Sequence, residues 1–398
     1  MVLLPYAFCA AGENDAKAAA RRSLERFQEL RNERPNDGLL VFYEAIVRLR
    51  LGEREKALQL LRSLKGRNLG LVPVRDTGFD GIWNDNEFEA IRKELADEEI
   101  RTPNAQVAFR LTDPRLISEG IAYDPKGDRF FVGSIAQRKI IVTDGKGEGT
   151  HDFSRTEDKL DPVLGVAVDP THDDLYAVTT NGFEDSAPKA RRNAIMRYDL
   201  KKGQLRDRFD APAAMQLNDL VVAPDGTIYS TDSLGGSLFR KKPGEKSLSL
   251  FGSADGLRGA NGIALAPDGK LFVATSTGIA LVNLETAVTT RLAQPDTVVT
   301  GACDGLYWHD GDLLGIQNVT NPGRVIQITL GEKGTGITGV TVLQPSHHPE
   351  FDEPTTGAIA HGALNVIANS YVGHYQADRT IKDAAALKRT AIIAVPLK

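Results

Sequence analysis

Residues 261–276 read NGIALAPDGKLFVATS, and close copies of this segment recur along the chain. The other copies are EGIAYDPKGDRFFVGS (119–134), LGVAVDPTHDDLYAV (164–178), NDLVVAPDGTIYSTDS (218–233), DGLYWHDGDLLGI (304–316) and TGAIAHGALNVIANS (356–370). Each copy consists of an apolar strand, a tight turn and a second strand. The starts lie 43 to 54 residues apart, a period that is typical of β-propeller blades. The sequence therefore predicts an all-β six-bladed β-propeller.

The two ends of the repeat region indicate how the ring closes. After Ser370 the chain has one further clear strand, from Thr390 to Pro396, so the sixth blade lacks its outermost strand. The alternating run from Ala105 to Leu111, just ahead of the first copy, can supply that strand. Because such pairing would remove two exposed sheet edges, we expect these two runs to pair.

The first hundred residues differ in composition from the rest. They contain 34 charged residues and 7 glycines, against 67 and 31 in the remaining 298 residues. Amphipathic runs predict four helices, at residues 16–33, 39–51, 55–64 and 87–98. Their spacing resembles one tetratricopeptide unit. We expect a small α-helical domain at 1–100 and the propeller at 101–398, with the helices forming either a cap on the propeller or a surface for a protein partner.

Composition also bears on partners and location. The net charge of −5 over 398 residues argues against nucleic-acid binding by bulk charge. Two cysteines, Cys9 and Cys303, cannot form a disulfide framework or a zinc cluster. No apolar stretch is long enough to span a bilayer, so no membrane partner is expected. The apolar residues Val2 to Ala11 suggest a periplasmic or secreted protein, but no basic region precedes them, which leaves a cytoplasmic location open.

One position of the repeat carries polar residues that should converge. The first residue of each copy begins an innermost strand, so the six positions meet at one end of the channel, the metal end; they are Glu119, Leu164, Asn218, Asn261, Asp304 and Thr356. Two carboxylates and two carboxamides in a narrow mouth would remain unsatisfied without a cation, and hard oxygen ligands suit calcium. The sequence therefore predicts a site for Ca²⁺ or another divalent cation, formed by four ring residues, Glu119, Asn218, Asn261 and Asp304.

This arrangement resembles a known family. The Glu-Asn-Asn-Asp register on six blades, with Leu217-Asn218-Asp219 and Ala260-Asn261-Gly262 as its most typical pieces, is similar to senescence marker protein, gluconolactonase and luciferin-regenerating enzyme. It also resembles diisopropylfluorophosphatase and the paraoxonases. The resemblance covers about residues 105–398. It implies that the four matching positions hold a catalytic divalent ion, usually calcium, and that the activity is hydrolysis of lactones, esters or organophosphates.

A calcium ion open toward the mouth polarises a carbonyl oxygen, and a nearby base must activate water. Asp304 is the first candidate for nucleophile or base. His347 and His348 are further catalytic candidates, because their segment enters the sixth blade at the metal end. The loop from Thr180 to Asn193 lies at the same end and mixes acidic residues with Arg191 and Arg192. This loop either selects an anionic substrate or forms a solvated lid.

Two functions of different classes follow. The first is a calcium-dependent hydrolase of lactones or related esters that acts on a small-molecule substrate. The alternative is a non-catalytic propeller with a structural ion, which binds a partner protein through the helical segment. An open coordination position above the ion distinguishes them, because a structural ion is surrounded by protein oxygens whereas a catalytic ion retains water. A condensing enzyme like strictosidine synthase is disfavoured by the four metal-type residues.

Overall fold

The structure is a computed structural model that describes residues 13–75, 77–99, 101–184, 191–253, 255–318 and 323–397. The described part contains four α-helices, followed by strands that form six four-stranded antiparallel sheets. The helices are α1 (Glu13–Glu33), α2 (Gly38–Arg50), α3 (Arg54–Arg62) and α4 (Asn86–Asp97). Each of the four predicted helices is present, with bounds within three residues of those expected.

The strands follow the chain blade by blade, after β1 (Gln106–Arg110). Blades one to three contain β2 (Ser118–Asp124), β3 (Arg129–Ser134), β4 (Lys139–Asp144), β5 (His151–Asp152), β6 (Val163–Asp169), β7 (Asp174–Thr180), β8 (Asn193–Asp199), β9 (Leu205–Asp210), β10 (Leu217–Val222), β11 (Ile228–Asp232), β12 (Ser237–Lys241) and β13 (Ser249–Ser253). Blades four to six contain β14 (Ile263–Leu265), β15 (Leu271–Thr275), β16 (Gly278–Val282), β17 (Thr289–Arg291), β18 (Cys303–His309), β19 (Asp312–Gln317), β20 (Arg324–Leu330), β21 (Ile337–Gln344), β22 (Gly357–Ala360), β23 (Ala363–Ile367) and β24 (Ala391–Pro396). The prediction of a six-bladed propeller with N-terminal helices is confirmed.

The sixth blade closes the ring with a strand from each end of the propeller. Its strand order is β22-β23-β24-β1, and β1 pairs antiparallel with β24, with Gln106 opposite Ala394 and Arg110 opposite Ala391. The predicted pairing of the run before the first repeat with the last strand is therefore confirmed. It gives the sixth blade four strands like the other five blades.

The turns within the repeats contain glycine and aspartate in the conformations expected of tight turns. In blade three, Gly226 has φ +82° and the Asp225 carboxylate accepts a hydrogen bond from the amide of Thr227 at 2.8 Å. Gly269 occupies the equivalent left-handed position in blade four, with φ +86°. These turns join the innermost strand to the second strand at the end of the channel opposite to the ring residues.

The helices pack on blades four and five at the end of the channel where the ring residues lie. Val299, in the connector between these blades, belongs to the helical core. Asp37 caps α2 by accepting from the amides of Leu39 (3.1 Å) and Leu40 (3.2 Å), and its carboxylate also pairs with Arg291 of β17 at 3.2 Å. The helices thus form a cap on the propeller. A protein partner and the boundary at residues 100 and 101 remain predictions.

The described helices include none that is both long and apolar enough to cross a membrane. Two of the predicted sequence features, the N-terminal apolar run and the loop of blade two, reach beyond the described residues. Residues 1–12, with the whole of that run, and residues 185–190 of that loop lie outside the described part of the chain.

The closing strand gives a direct test of the fold. Phe109 on β1 is 4% exposed and lies 5.2 Å from the Phe130 ring, between centroids. We expect Phe109→Ala to lower the free energy of unfolding by about 3–5 kcal/mol, the usual cost of truncating a buried aromatic ring, as measured by urea denaturation. Val107→Ala is the matched control, since Val107 is 39% exposed on the same strand. Equal effects of the two substitutions would contradict the placement of β1.

Candidate functional site

The four predicted ligand residues lie at one end of the innermost strands. Glu119, Asn218 and Asp304 are each the second residue of their strand, and Asn261 lies two residues before β14. All four side chains are buried, with exposures of 2–4%. Burial of four polar side chains is costly unless each finds a polar partner. Their environment therefore indicates what the ring can bind.

Asp304 is held by two carboxamides. The Nδ2 atom of Asn261 donates to Asp304 Oδ1 and the Nδ2 atom of Asn318 donates to Asp304 Oδ2, both at 2.5 Å. Each carboxylate oxygen thus accepts one hydrogen bond, and the orientation of the carboxylate is fixed. Asn318 follows β19 and was not predicted, because it lies outside the repeat position that gives the ring residues.

Glu119 and Asn261 carry oxygens that the protein leaves unsatisfied. Glu119 Oε2 and Asn261 Oδ1 are buried and have no hydrogen-bond partner. Burial raises the pKa of Glu119 well above its ordinary value, and the negative charge of Asp304 raises it further. Both effects disfavour a second buried carboxylate charge. A divalent cation at this place would lower the pKa of Glu119 again, and it would coordinate the two oxygens that lack a hydrogen-bond partner.

The innermost strands of neighbouring blades approach one another closely beside the ring residues. The residue after each ring position is glycine in five copies, at Gly120, Gly165, Gly262, Gly305 and Gly357. A Cβ atom at Gly120 would lie 2.0 Å from the Leu164 carbonyl oxygen, and one at Gly262 would lie 2.5 Å from the Leu306 amide nitrogen. Neither position has room for a side chain, so glycine is required there.

Asp219 occupies the position at which the other five copies have glycine. Its carboxylate accepts from the amide of Leu220 at 2.8 Å and from that of Ile263 at 3.4 Å. Burial raises the pKa of Asp219 to about 7. This residue was not among the predicted site residues, although the sequence carries a signal for it: the third copy alone replaces the glycine by an acidic side chain.

A cavity of about 650 Å³ occupies the channel on the side of the ring that the innermost strands run toward. Asp219, Ile263, Tyr307 and Thr356 are among the residues that line it. The Tyr307 hydroxyl accepts a hydrogen bond from the amide of Gly357 at 2.6 Å, and burial raises the pKa of this phenol. The channel next to the ring therefore combines apolar walls with a few fixed polar groups.

The two candidate catalytic histidines lie in the connector into blade six and have partners of their own. His347 Nε2 lies 2.6 Å from Glu99 Oε2, in the segment that follows α4. His348 Nε2 lies 3.4 Å from the carbonyl oxygen of Ala105, and its Nδ1 accepts from the amide of Glu350 at 3.2 Å. These contacts join the connector to the N-terminal part of the chain. A catalytic role for either histidine remains a prediction.

Clusters of three or more histidine, cysteine, aspartate or glutamate side chains that could hold a metal are absent from the described residues. The ring differs from such clusters because it combines two carboxylates with two carboxamides. Calcium sites use carboxylate, carboxamide, carbonyl and water oxygens together. The donor set of Glu119, Asn218, Asn261 and Asp304 therefore fits a hard cation better than it fits zinc.

Comparisons with known proteins bear on the propeller. Among solved structures, the chain is similar to the PQQ-bound aldose sugar dehydrogenase from Streptomyces coelicolor, with a TM-score of 0.50 and 16% identity over 75% of this chain and 99% of that one. A putative glucose dehydrogenase from Thermus thermophilus gives a TM-score of 0.50 and 17% identity over 73% and 100%. A gluconolactonase from Xanthomonas campestris gives 0.46 and 18% over 75% and 100%. At these identities, the similarity to the two dehydrogenase structures supports the fold alone.

The sequence comparisons are more specific. A search of curated proteins finds no match to this chain. Residues 117–312, however, match the family model described as the SMP-30/gluconolactonase/LRE-like region. The matched residues include all four ring residues and blades one to four. Residues 117–312 of this chain therefore form an SMP-30/gluconolactonase/LRE-like region.

Proposed function

We propose that this protein is a calcium-dependent hydrolase of lactones or related esters. The observation that carries the proposal is the buried ring of Glu119, Asn218, Asn261 and Asp304, in which two oxygens have no hydrogen-bond partner. The family match over residues 117–312 supports it, because gluconolactonase is among the proteins for which that family is named. The substrate is a small molecule that reaches the ring from its mouth.

The residues present fit a calcium ion. Glu119 and Asp304 would balance its two charges, and Asn218 and Asn261 would add neutral oxygens once the Asn261 amide turns its Oδ1 inward. Four protein ligands are fewer than the six to eight oxygens that calcium takes, so positions remain for water or substrate. When bound, the ion supplies Lewis acidity toward a carbonyl oxygen and stabilises the developing oxyanion.

The protein itself supplies the orientation of the base. The Nδ2 atom of Asn318 holds the Asp304 carboxylate through its hydrogen bond to Oδ2, and this contact does not depend on the orientation of the Asn261 amide. We propose that Asp304 either acts as the general base that takes a proton from the attacking water or attacks the carbonyl carbon itself as a nucleophile. Burial of the ring excludes bulk water, which strengthens the electrostatic interactions of this carboxylate.

The metal site can be tested by isothermal titration calorimetry with calcium. We expect Glu119→Gln to weaken calcium binding at least about tenfold, or about 1.4 kcal/mol, because it removes one of two ligand charges. The exposed Glu285 provides the control Glu285→Gln, which should bind calcium as the wild type does. Unchanged calcium affinity in Glu119→Gln would rule out this ligand set. Loss of the folded state in this variant would favour a structural ion and the partner-binding alternative.

The chemistry can be tested with a lactone, an aryl ester and a phosphotriester, each with calcium and with a chelator. We expect Asp304→Asn to reduce kcat by about 10²–10⁴-fold, the usual contribution of a general base, while calcium binding falls only in part because the amide keeps one oxygen ligand. Hydrolysis that survives both chelation and Asp304→Asn would refute the mechanism.

The histidines need a separate test. If His347 or His348 transfers protons, its replacement by Ala should lower kcat by about 10²-fold or more without changing calcium affinity. Because His347→Ala also removes the contact with Glu99, its urea midpoint must be measured in parallel. An unchanged kcat in both variants would leave Asp304 as the base and exclude the histidines.

A further inference from the structure

Asp304 lies at an irregular point of its blade. In the pairing of β18 with β19, Cys303 lies opposite Gln317 and Gly305 lies opposite Ile316. Asp304, between them, is the extra residue of a β-bulge. A bulge leaves its extra residue outside the regular pairing and turns its side chain in a new direction. The orientation of the Asp304 carboxylate therefore depends on contacts other than the strand pairing.

Gln317 anchors the segments on both sides of this bulge. Its side chain is fully buried, and its Nε2 atom donates to the carbonyl oxygens of Gly301 at 2.7 Å and Val299 at 3.2 Å. Both carbonyls belong to the connector that leads into β18 and Asp304. Along the chain, Gln317 is followed directly by Asn318, whose Nδ2 atom donates to the Asp304 carboxylate. Gln317 thus holds the connector before the bulge and the strand end that carries the partner of the carboxylate.

Arg324 orients the side chain of Gln317. The two residues lie opposite each other in the pairing of β19 with β20, and Arg324 Nε donates to Gln317 Oε1 at 2.7 Å. Because a guanidinium can only donate, this contact directs the amide nitrogen of Gln317 toward the connector. Arg324 is 6% exposed, and burial lowers its pKa to about 10. Since burial of a guanidinium is costly, an apolar side chain would fill this place at lower cost.

The helical cap packs against both ends of this set of contacts. A Cβ atom at Gly70, in the segment between α3 and α4, would lie 2.2 Å from Arg324 Nη1. A Cβ atom at Gly301 would lie 2.6 Å from the side chain of Leu39 in α2, and Val299 lies in the core of the cap. The cap therefore contacts the guanidinium at one end and the connector at the other.

We propose that Gln317 and Arg324 are positioning residues through which the docked cap sets the orientation of Asp304. The inference rests on the proposed hydrolase function, in which Asp304 is the base or nucleophile, and it gives the N-terminal helices a part in that chemistry. Both side chains are buried, so they act on a substrate through Asp304 alone. Displacement of the cap would leave the propeller folded and the Asp304 carboxylate free to turn.

The first test replaces each residue of the pair. Gln317→Met keeps the shape of the side chain and removes the donor to Gly301 and Val299. With the best substrate among the lactone, the aryl ester and the phosphotriester, we expect kcat to fall about 10- to 100-fold, the usual cost of a misplaced reacting group. KM should change little, because Asp304 acts after the substrate has bound. Arg324→Met should have the same effect, and Arg324→Lys should recover part of the loss because its ammonium can still donate to Gln317.

Asn365→Leu is the matched control for a buried carboxamide. Asn365 on β23 is 4% exposed, and its Nδ2 atom donates to the carbonyl oxygens of Ala358 at 3.4 Å and Ala360 at 3.2 Å. It holds part of blade six as Gln317 holds the connector of blade five. We expect Asn365→Leu to lower the urea midpoint by about as much as Gln317→Met and to keep the wild-type kcat. An equal loss of kcat in both variants would mean a purely structural role and would overturn the proposal.

Two glycines of the cap separate the contact with Arg324 from backbone strain. Gly70 has φ +69° and Gly52 has φ +79°, so alanine is strained at both positions. A Cβ atom at Gly70 would collide with the guanidinium, whereas at Gly52 no atom of the described residues lies within 4 Å of it. We expect Gly70→Ala to lower kcat as Gln317→Met does, and Gly52→Ala to keep the wild-type kcat. An unchanged kcat in Gly70→Ala would overturn the role of the cap.

The side-chain amide of Asn261 reports on Asp304 without substrate or calcium. In the calcium-free protein its Nδ2 atom donates to Asp304 Oδ1 at 2.5 Å, and its signal in a ¹H–¹⁵N TROSY spectrum can be assigned with Asn261→Ala. We expect this signal to move in Arg324→Met and Gly70→Ala and to stay in place in the two control variants. If the wild type hydrolyses none of the substrates, the hydrolase function fails and this signal alone decides the inference. A signal that stays in place in Arg324→Met, or moves equally in the controls, would overturn it.

Discussion

Six innermost strands pack closely around the channel, and this packing determines where the ring residues lie. Where a Cβ atom at Gly120 would lie 2.0 Å from the Leu164 carbonyl oxygen, the backbones of neighbouring blades are almost in contact. The side chains of Glu119, Asn261 and Asp304 directly precede such glycines and are buried at one end of the channel. Charged and amide groups are thereby held together and away from water, which raises the pKa of Glu119 and leaves oxygens unsatisfied. The spacing of the backbone thus produces the unsatisfied oxygens on which the proposed cation site rests.

Much of the fold could be predicted because it is periodic. The six copies fix where each innermost strand begins, and a missing strand in the sixth copy implies that another segment completes it, which β1 does. The helices were found for a similar reason, since their apolar faces repeat at a helical period. The same repeat register predicted the ring residues, which are Glu119, Asn218, Asn261 and Asp304. Their placement at one end is a consequence of blade geometry and needs no knowledge of the loops.

The partners of these residues could not be predicted, because loops do not repeat. Asn318 reaches Asp304 from the end of a second strand, and Arg191 reaches the Met215 carbonyl from a long connection. His347 contacts Glu99, which is 248 positions away in sequence, through a cap whose docking depends on side-chain fit at Gly301. Such contacts are decided by packing between segments that are distant in sequence. Composition and periodicity contain little information about them.

The pairing of β1 with β24 also determines when the propeller ring can close during synthesis. During synthesis β1 leaves the ribosome well before its partner β24, because β2 to β23 lie between them in the chain. Until then β1 has an unpaired edge, to which other nascent chains can add. The helices that precede β1 can fold early from local contacts. The pairing of β1 with β24 depends on a contact between distant parts of the sequence and forms slowly. Truncation near the C-terminus should therefore leave an open ring that is prone to aggregate.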